Sequence, residues 1–137
     1  MRFYLDTSVA LHAVLPGGDR RARAWLQALD GGDDDICAST LLRLEMIRAL
    51  RRERLDTAWA QLVLQRLDLI SIDDGVLRFA AAIESHVKSL DAIHLATCSL
   101  LGNAVTMVTH DANMADVAGS LGFAVHDPLA MEALRHE

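Results

Sequence analysis

The chain is poor in several residue types, and each scarcity narrows what it can be. It has two cysteines, Cys37 and Cys98, in no metal-ligand spacing and among apolar neighbours. That excludes a zinc-type cysteine cluster and points to reduced, buried thiols in a cytoplasmic protein. Aromatic residues make up only 4%, so the core must be built from Leu, Ala, Val and Ile. No apolar run approaches the roughly 18 residues that span a bilayer. No basic-then-apolar leader precedes Phe3, and no signal peptide is expected. Internal repeats, low-complexity segments and Pro/Gly/Ser linkers are missing too, so residues 1–137 are expected to form one domain. Lysine is nearly absent: of thirteen basic residues, all but Lys88 are arginine.

What is present is a chain that is 52% apolar, which excludes disorder, with a formal net charge of −6. The sum argues against a nucleic-acid partner. The distribution does not, because eight arginines lie between Arg20 and Arg54. Guanidinium forks suit phosphate bidentately, although about half of these arginines are expected on solvated helix faces.

Strand and helix signals alternate along the whole chain. Arg2–Leu5 reads as a buried strand, and Asp6, Thr7 or Ser8 can cap the helix that begins at Val9. Pro16-Gly17-Gly18 ends that helix, and Asp19 caps a second over residues 20–29. The Asp33–Asp35 run reads as a solvated loop. Residues 36–38 form a strand, Ser39 or Thr40 caps a helix from Leu41 to about Arg54, and a helix follows over residues 56–67. Residues 69–72, 104–109 and 123–125 are further strands. Helices are expected from Asp73-Asp74 through Ile83, from Leu90 to Leu101 under a Ser89 cap, over residues 112–121, and in a short stretch after Pro128. The alternation predicts an α/β fold, a mostly parallel sheet between two helical layers.

In such a sheet all strand C-termini reach one edge, where ligands bind. Asp6 and Asp111 follow strands there. So do Asp73, Asp74 and Asp127, and spacing alone does not choose between ligands and helix caps. Glu45 lies inside the apolar edge of its helix, between Leu41 and Ala49. An i,i+3 pair with Arg48 would be the plain account of it, but leaves that inward lean unexplained. Asp91 opens a helix that is apolar nearly all round and so needs a cation or metal partner. His94 reads as a satisfied core or supporting histidine. Carboxylates gathered in one pocket repel each other. A divalent cation relieves that conflict, and an all-oxygen donor set selects Mg²⁺ or Mn²⁺. Phosphodiester hydrolysis follows from such a site.

Four motifs, in order and across essentially the whole chain, carry a family resemblance. They are Asp6-Thr7-Ser8, Leu44-Glu45-Met46, Leu90-Asp91-Ala92-Ile93-His94-Leu95-Ala96 and Val108-Thr109-His110-Asp111. The chain resembles the PIN-domain ribonucleases, and most of all the VapC toxins of toxin–antitoxin pairs. The resemblance implies a three-layer α/β/α sandwich and an acidic pocket holding Mg²⁺ or Mn²⁺. It implies endonucleolytic cleavage of RNA, a cognate antitoxin whose C-terminal segment blocks the pocket, and a homodimer. It assigns Asp6, Glu45, Asp91 and Asp111 as the catalytic and metal-ligating acids, with Ser8 and Thr109 as supporting hydroxyls. Trp25 and Trp59 become candidates for the antitoxin contact or, equally, core residues. Where some relatives carry a further acid three residues after the fourth, this chain has Met114, and Asp116 reads as surface, which puts a second metal in doubt. A receiver domain would need paired acids after the first strand and a late Lys. A haloacid-dehalogenase-type phosphatase would need Asp in place of Ser8. The remaining alternative is a catalytically silent PIN-fold binding module.

Overall fold

A computed structural model describes residues 1–130. Five strands, β1 (Arg2–Leu5), β2 (Asp35–Ser39), β3 (Asp68–Ile70), β4 (Val105–Val108) and β5 (Ala124–His126), form one sheet in the order β3-β2-β1-β4-β5. Every neighbouring pair is parallel, with Phe3 facing Ile36 on one side and Thr106 on the other. The helices are α1 (Thr7–Val14), α2 (Arg20–Ala28), α3 (Thr40–Arg52), α4 (Gln61–Leu64), α5 (Asp74–Ala82), α6 (Ser89–Leu100) and α7 (Ala112–Ser120).

The apolar run at the centre of β1 explains the layering. Side chains alternate across a strand, and a parallel strand is covered on both faces. Phe3 and Leu5 pack into a core with residues of α1 to α4, including Val9, Leu26, Leu42 and Val63. Tyr4 points the other way, into a core with Leu95 and Cys98 of α6 and Met114 and Val117 of α7. Three layers result, as the α/β/α reading requires. Cys37 and Cys98 are buried free thiols, and burial pushes them up to about 11 and about 12. Among the described residues no helix is long and apolar enough to cross a membrane.

Three local expectations change. The single helix expected over residues 56–67 is a 3₁₀ turn, Thr57–Ala60, followed by the one-turn α4. Its buried set, Ala60, Val63 and Leu64, is too short a stripe to support three turns. Lys88, not Ser89, occupies the N-cap of α6, which puts Asp91 third in the helix. Asp6 stands at the N-cap of α1 without a side-chain cap bond; its carbonyl accepts from Val9 and Ala10 instead. The helix expected after Pro128 lies outside the described residues from Met131 on.

The strand order has one consequence for the site. The chain builds outward from β1 to β3, then returns to lay β4 on the other side of β1. The crevice between the C-terminal ends of β1 and β4 is therefore the topological switch point, where open α/β sheets bind ligands.

Candidate active site at the switch point

Asp6 and Thr109 are the first residues beyond β1 and β4, and the Asp6 N–H extends the ladder by donating to the Val108 carbonyl at 2.9 Å. Asp6 is only 4% exposed. Its Oδ2 accepts from Thr109 Oγ1 at 2.8 Å and from Ser8 Oγ at 2.9 Å. Each hydroxyl is itself fixed by the loop after β4: Ser8 Oγ accepts from the His110 N–H at 3.0 Å, and Thr109 Oγ1 from the Asp111 N–H at 3.1 Å. Two expected supporting hydroxyls and the Asp6 carboxylate thus form one network.

Glu45 reaches the same crevice from α3. Its Oε1 accepts from Thr7 Oγ1 at 2.6 Å and lies 2.8 Å from His94 Nε2. His94 is 1% exposed, and its Nδ1 lies 2.7 Å from the Tyr4 hydroxyl. The pairing with Arg48 does not occur; Glu45 leans inward because its partners are inside. Burial pushes the Glu45 carboxyl up, but the hydrogen bonds from His94 and Thr7 outweigh it and hold the pKa below the ordinary value.

Asp91 is half-buried on the first turn of α6. Its pKa is raised, first by burial, then by the negative charges of Asp6 and Asp111, with Glu45 adding and His94 opposing. Asp91 therefore feels the charges of the other three acids. Asp111 is exposed and caps α7, its Oδ1 accepting from the Met114 N–H at 3.0 Å. Met114 is buried in the core and Asp116 is exposed.

A pattern runs through the four. Among the described residues, Asp6, Glu45 and Asp111 each have one carboxylate oxygen held by the protein, while the other accepts no hydrogen bond. Asp91 accepts none on either, and Asp6, Asp91 and Asp111 join no ion pair. For the buried Asp6 an unmet oxygen is costly unless a cation meets it. Hard oxygen donors of this kind fit Mg²⁺ or Mn²⁺. As the side chains stand, no three His, Cys, Asp or Glu among the described residues are gathered tightly enough to cage an ion.

The other strand-end acids are engaged elsewhere. Asp73 caps α5 through the Val76 N–H at 2.9 Å, Asp74 pairs with Arg78 on the surface, and Asp127 holds His110 Nδ1 at 2.9 Å. Sequence reasoning missed Tyr4 and treated Thr7 only as a cap. Nothing in a buried aromatic on a central strand distinguishes a hydrogen-bonding phenol from core filling.

A groove of about 700 Å³ lies between α1, α2 and the Thr57–Leu64 segment, walled by His12, Leu15, Pro16, Arg20, Trp59 and Leu62. His12 also meets His110, of the loop after β4, edge-on, ring centroids 5.5 Å apart. Trp59 is 37% exposed there. Trp25 instead packs edge-on against Phe3 at 5.3 Å, beside the core.

The PIN domain model matches residues 3–120. Ribonuclease VapC47 of Mycobacterium tuberculosis (strain CDC 1551 / Oshkosh) is 31% identical over 133 residues, covering 93% of this chain and 98% of that protein. Ribonuclease VapC46 of the same species (strain ATCC 25618 / H37Rv) is 38% identical over 94 residues, 66% of this chain and 72% of its own length. Among solved structures, VapBC2 from Rickettsia felis, bound to a DNA fragment from their promoter, superposes with a TM-score of 0.71 at 13% identity over 93% of this chain and 98% of that one. VapC20 of Mycobacterium tuberculosis, described as a sarcin-ricin loop cleaving toxin, gives 0.66 at 18% identity over 89% and 96%. At such identities the superpositions speak for the fold, while the family match and the near full-length likeness to VapC47 speak for descent. The chain belongs to the PIN-domain family and is of the VapC type.

Proposed function

We propose that this protein is a metal-dependent endoribonuclease that hydrolyses RNA phosphodiester bonds, the toxin of a toxin–antitoxin pair. The observation that carries the reading is the set of open carboxylate oxygens at the switch point, on Asp6, Glu45, Asp91 and Asp111. Asp6 and Asp91 would hold Mg²⁺ or Mn²⁺, with Glu45 and Asp111 beside them. When bound, the cation supplies charge stabilisation at the phosphate and a water made nucleophilic near neutral pH. The chain's own part is to hold the acids still. Ser8 and Thr109 fix Asp6, and His94 and Thr7 keep Glu45 ionised with Oε2 open.

Arg43, Arg48, Arg51, Arg52 and Arg54 are exposed on α3 and just past its end, and form no ion pair among the described residues. Arg48 and Arg52 follow Glu45 at one and two turns along its own edge of the helix. They would bind the backbone of a single strand entering the crevice, the form of RNA that can be splayed for attack. The groove beside Trp59 suits an apolar segment of a cognate antitoxin, as the VapBC likeness suggests. We assign the protein to the cytoplasm, where two free buried thiols stay reduced, and expect a homodimer.

The competing reading is a silent PIN-fold binding module. It draws on one observation, that no three of these side chains cage an ion as they stand. The deciding experiment is cleavage of total RNA by antitoxin-free protein with Mg²⁺ or with chelator, and Asp91→Asn alongside. Discrete fragments that need the ion and vanish in the variant are expected. No fragments, and no heat of binding on titration with Mg²⁺ or Mn²⁺, would leave the silent module.

A further inference from the structure

We infer that a second groove, between α1 and the end of α3, takes a guanine base of the RNA strand, and that Glu53 selects it by accepting from the two adjacent donors on the base's Watson–Crick edge. The inference rests on the reading of the chain as an enzyme that cuts RNA.

This groove holds about 610 Å³, and Leu11, Leu15, Pro16 and Leu55 make its walls apolar. Ser8 also lines it, and the Ser8 hydroxyl donates to Asp6 at 2.9 Å. A base seated here therefore lies beside the acids that would cut the strand. The groove shares His12, Leu15 and Pro16 with the one beside Trp59, but only this one is lined by Ser8 and by a carboxylate, that of Glu53.

Two neighbours at the end of α3 go against local preference. Glu53 is the C-cap, where the helix dipole disfavours negative charge. It is exposed and joins no ion pair among the described residues, although Arg52 and Arg54 adjoin it in sequence. Arg54 follows with φ at +58°, in the left-handed position that usually falls to glycine. The turn is closed by backbone alone: the Arg54 N–H donates to the Arg51 carbonyl at 3.0 Å and the Leu55 N–H to the Leu50 carbonyl at 2.9 Å. Neither the acid nor the cation is needed to make it. Local rules broken without a gain in stability mark functional positions. An RNA strand accounts for both, with Arg54 supplying charge for a phosphate and Glu53 reading the base.

The carboxylate also names the base. Ionised, it only accepts. Guanine sets two donors side by side, N1–H and the N2 amino group. Adenine and cytosine set a donor beside an acceptor, and uracil flanks its one donor with two carbonyls. The leucines and Pro16 cover the flat faces of a base splayed out of a single strand.

The test measures binding in chelator, by fluorescence anisotropy of a labelled short oligouridine carrying one central guanosine. The comparison is the same oligonucleotide with inosine, which lacks only the N2 amino group. Wild-type full-length protein should bind the guanosine form about tenfold more tightly. Glu53→Gln should bring the two within about twofold, and Arg54→Gly should weaken both alike. Both variants should melt no lower than wild type, since each removes a local conflict. Equal binding of the two oligonucleotides by wild type, or a guanosine preference that survives Glu53→Gln, overturns the proposal and leaves the groove to a protein segment. No binding of either oligonucleotide overturns it as well, as does a melting temperature lowered by Glu53→Gln, which would mean that the fold keeps the acid. Cleavage with Mg²⁺ separates the two readings. Guanosine-selective binding by a protein that cuts nothing sinks the cleavage reading alone, and cutting without regard to base sinks the groove alone.

Discussion

Asp6 and Asp73 occupy matching places and have different fates. Each follows a strand at the C-terminal edge of the sheet, and each stands at the N-cap of the next helix. Asp73 turns its carboxylate onto the Val76 N–H and caps α5. Asp6 leaves the capping to its backbone carbonyl and gives its carboxylate to Thr109, 103 residues away in sequence, and to Ser8. The difference lies in the neighbours. β1 is flanked by β4, whose following loop brings the Thr109 hydroxyl over the end of β1. β3 is an edge strand and has no such neighbour on its outer side. At Asp6 the carboxylate is drawn away from its own helix because a strand from elsewhere in the chain lies beside β1.

The sharpest way to break this contrast is to neutralise both acids. Asp6→Asn is expected to lower RNA cleavage by about a thousandfold or more while the fold persists, because the change removes charge and little volume. Asp73→Asn should cleave at the wild-type rate, since asparagine caps nearly as well as aspartate. Cleavage kinetics and circular dichroism on both variants check it. Equal losses, or an active Asp6→Asn, would erase the distinction.

The same contrast explains how much could be read beforehand. Alternating strands and helices, the inward lean of Glu45 and the burial of Tyr4 are local signals, carried by periods of 2 and 3.6 residues. Strand order is not local. Whether β4 returns beside β1 or beyond β3 depends on packing across the whole sheet, and that return selects Asp6 over Asp73. For the same reason Ser8 and Thr109 could be suggested by motif, but their shared grip on Asp6 could not. Tyr4 was illegible because its apolar ring satisfies the strand pattern and only the far end of the phenol does anything else.

Removing the closing hydroxyl gives a smaller effect. Thr109→Val deletes the 2.8 Å donor to a buried carboxylate and the acceptor for the Asp111 N–H. Ser8 still holds Asp6, so a loss of about tenfold in cleavage is expected, with about 1–2 kcal/mol of stability. Urea unfolding and cleavage kinetics on one preparation check both. On the other side of the comparison, Asp73→Ala should cost about 1 kcal/mol through the lost cap and leave the cleavage rate per folded molecule unchanged.

The smallest effect is a contest of signs at Asp91. At the third residue of α6 the helix dipole favours a negative charge, by about 0.3–1 kcal/mol. Burial, Asp6 and Asp111 oppose that charge and raise the pKa. A carboxyl raised in the folded state contributes stability that is fully present below its unfolded value and is lost as pH rises through the folded one. Ion-free wild type therefore loses this contribution on passing from the ordinary Asp range toward neutrality. Asp91→Asn, which never ionises, does not. The variant is expected to be the more stable of the two at pH 7 in chelator, by less than about 1 kcal/mol given how exposed the group is, with the gap closing toward pH 3. Mg²⁺ should reverse the order, because an ion that binds the folded state stabilises the protein that holds it better. Thermal melts at both pH values, with chelator and with Mg²⁺, read all four cases. A variant less stable than wild type at pH 7 in chelator would mean that the dipole outweighs the crowding, and the acids at the switch point would then need no cation to be tolerated.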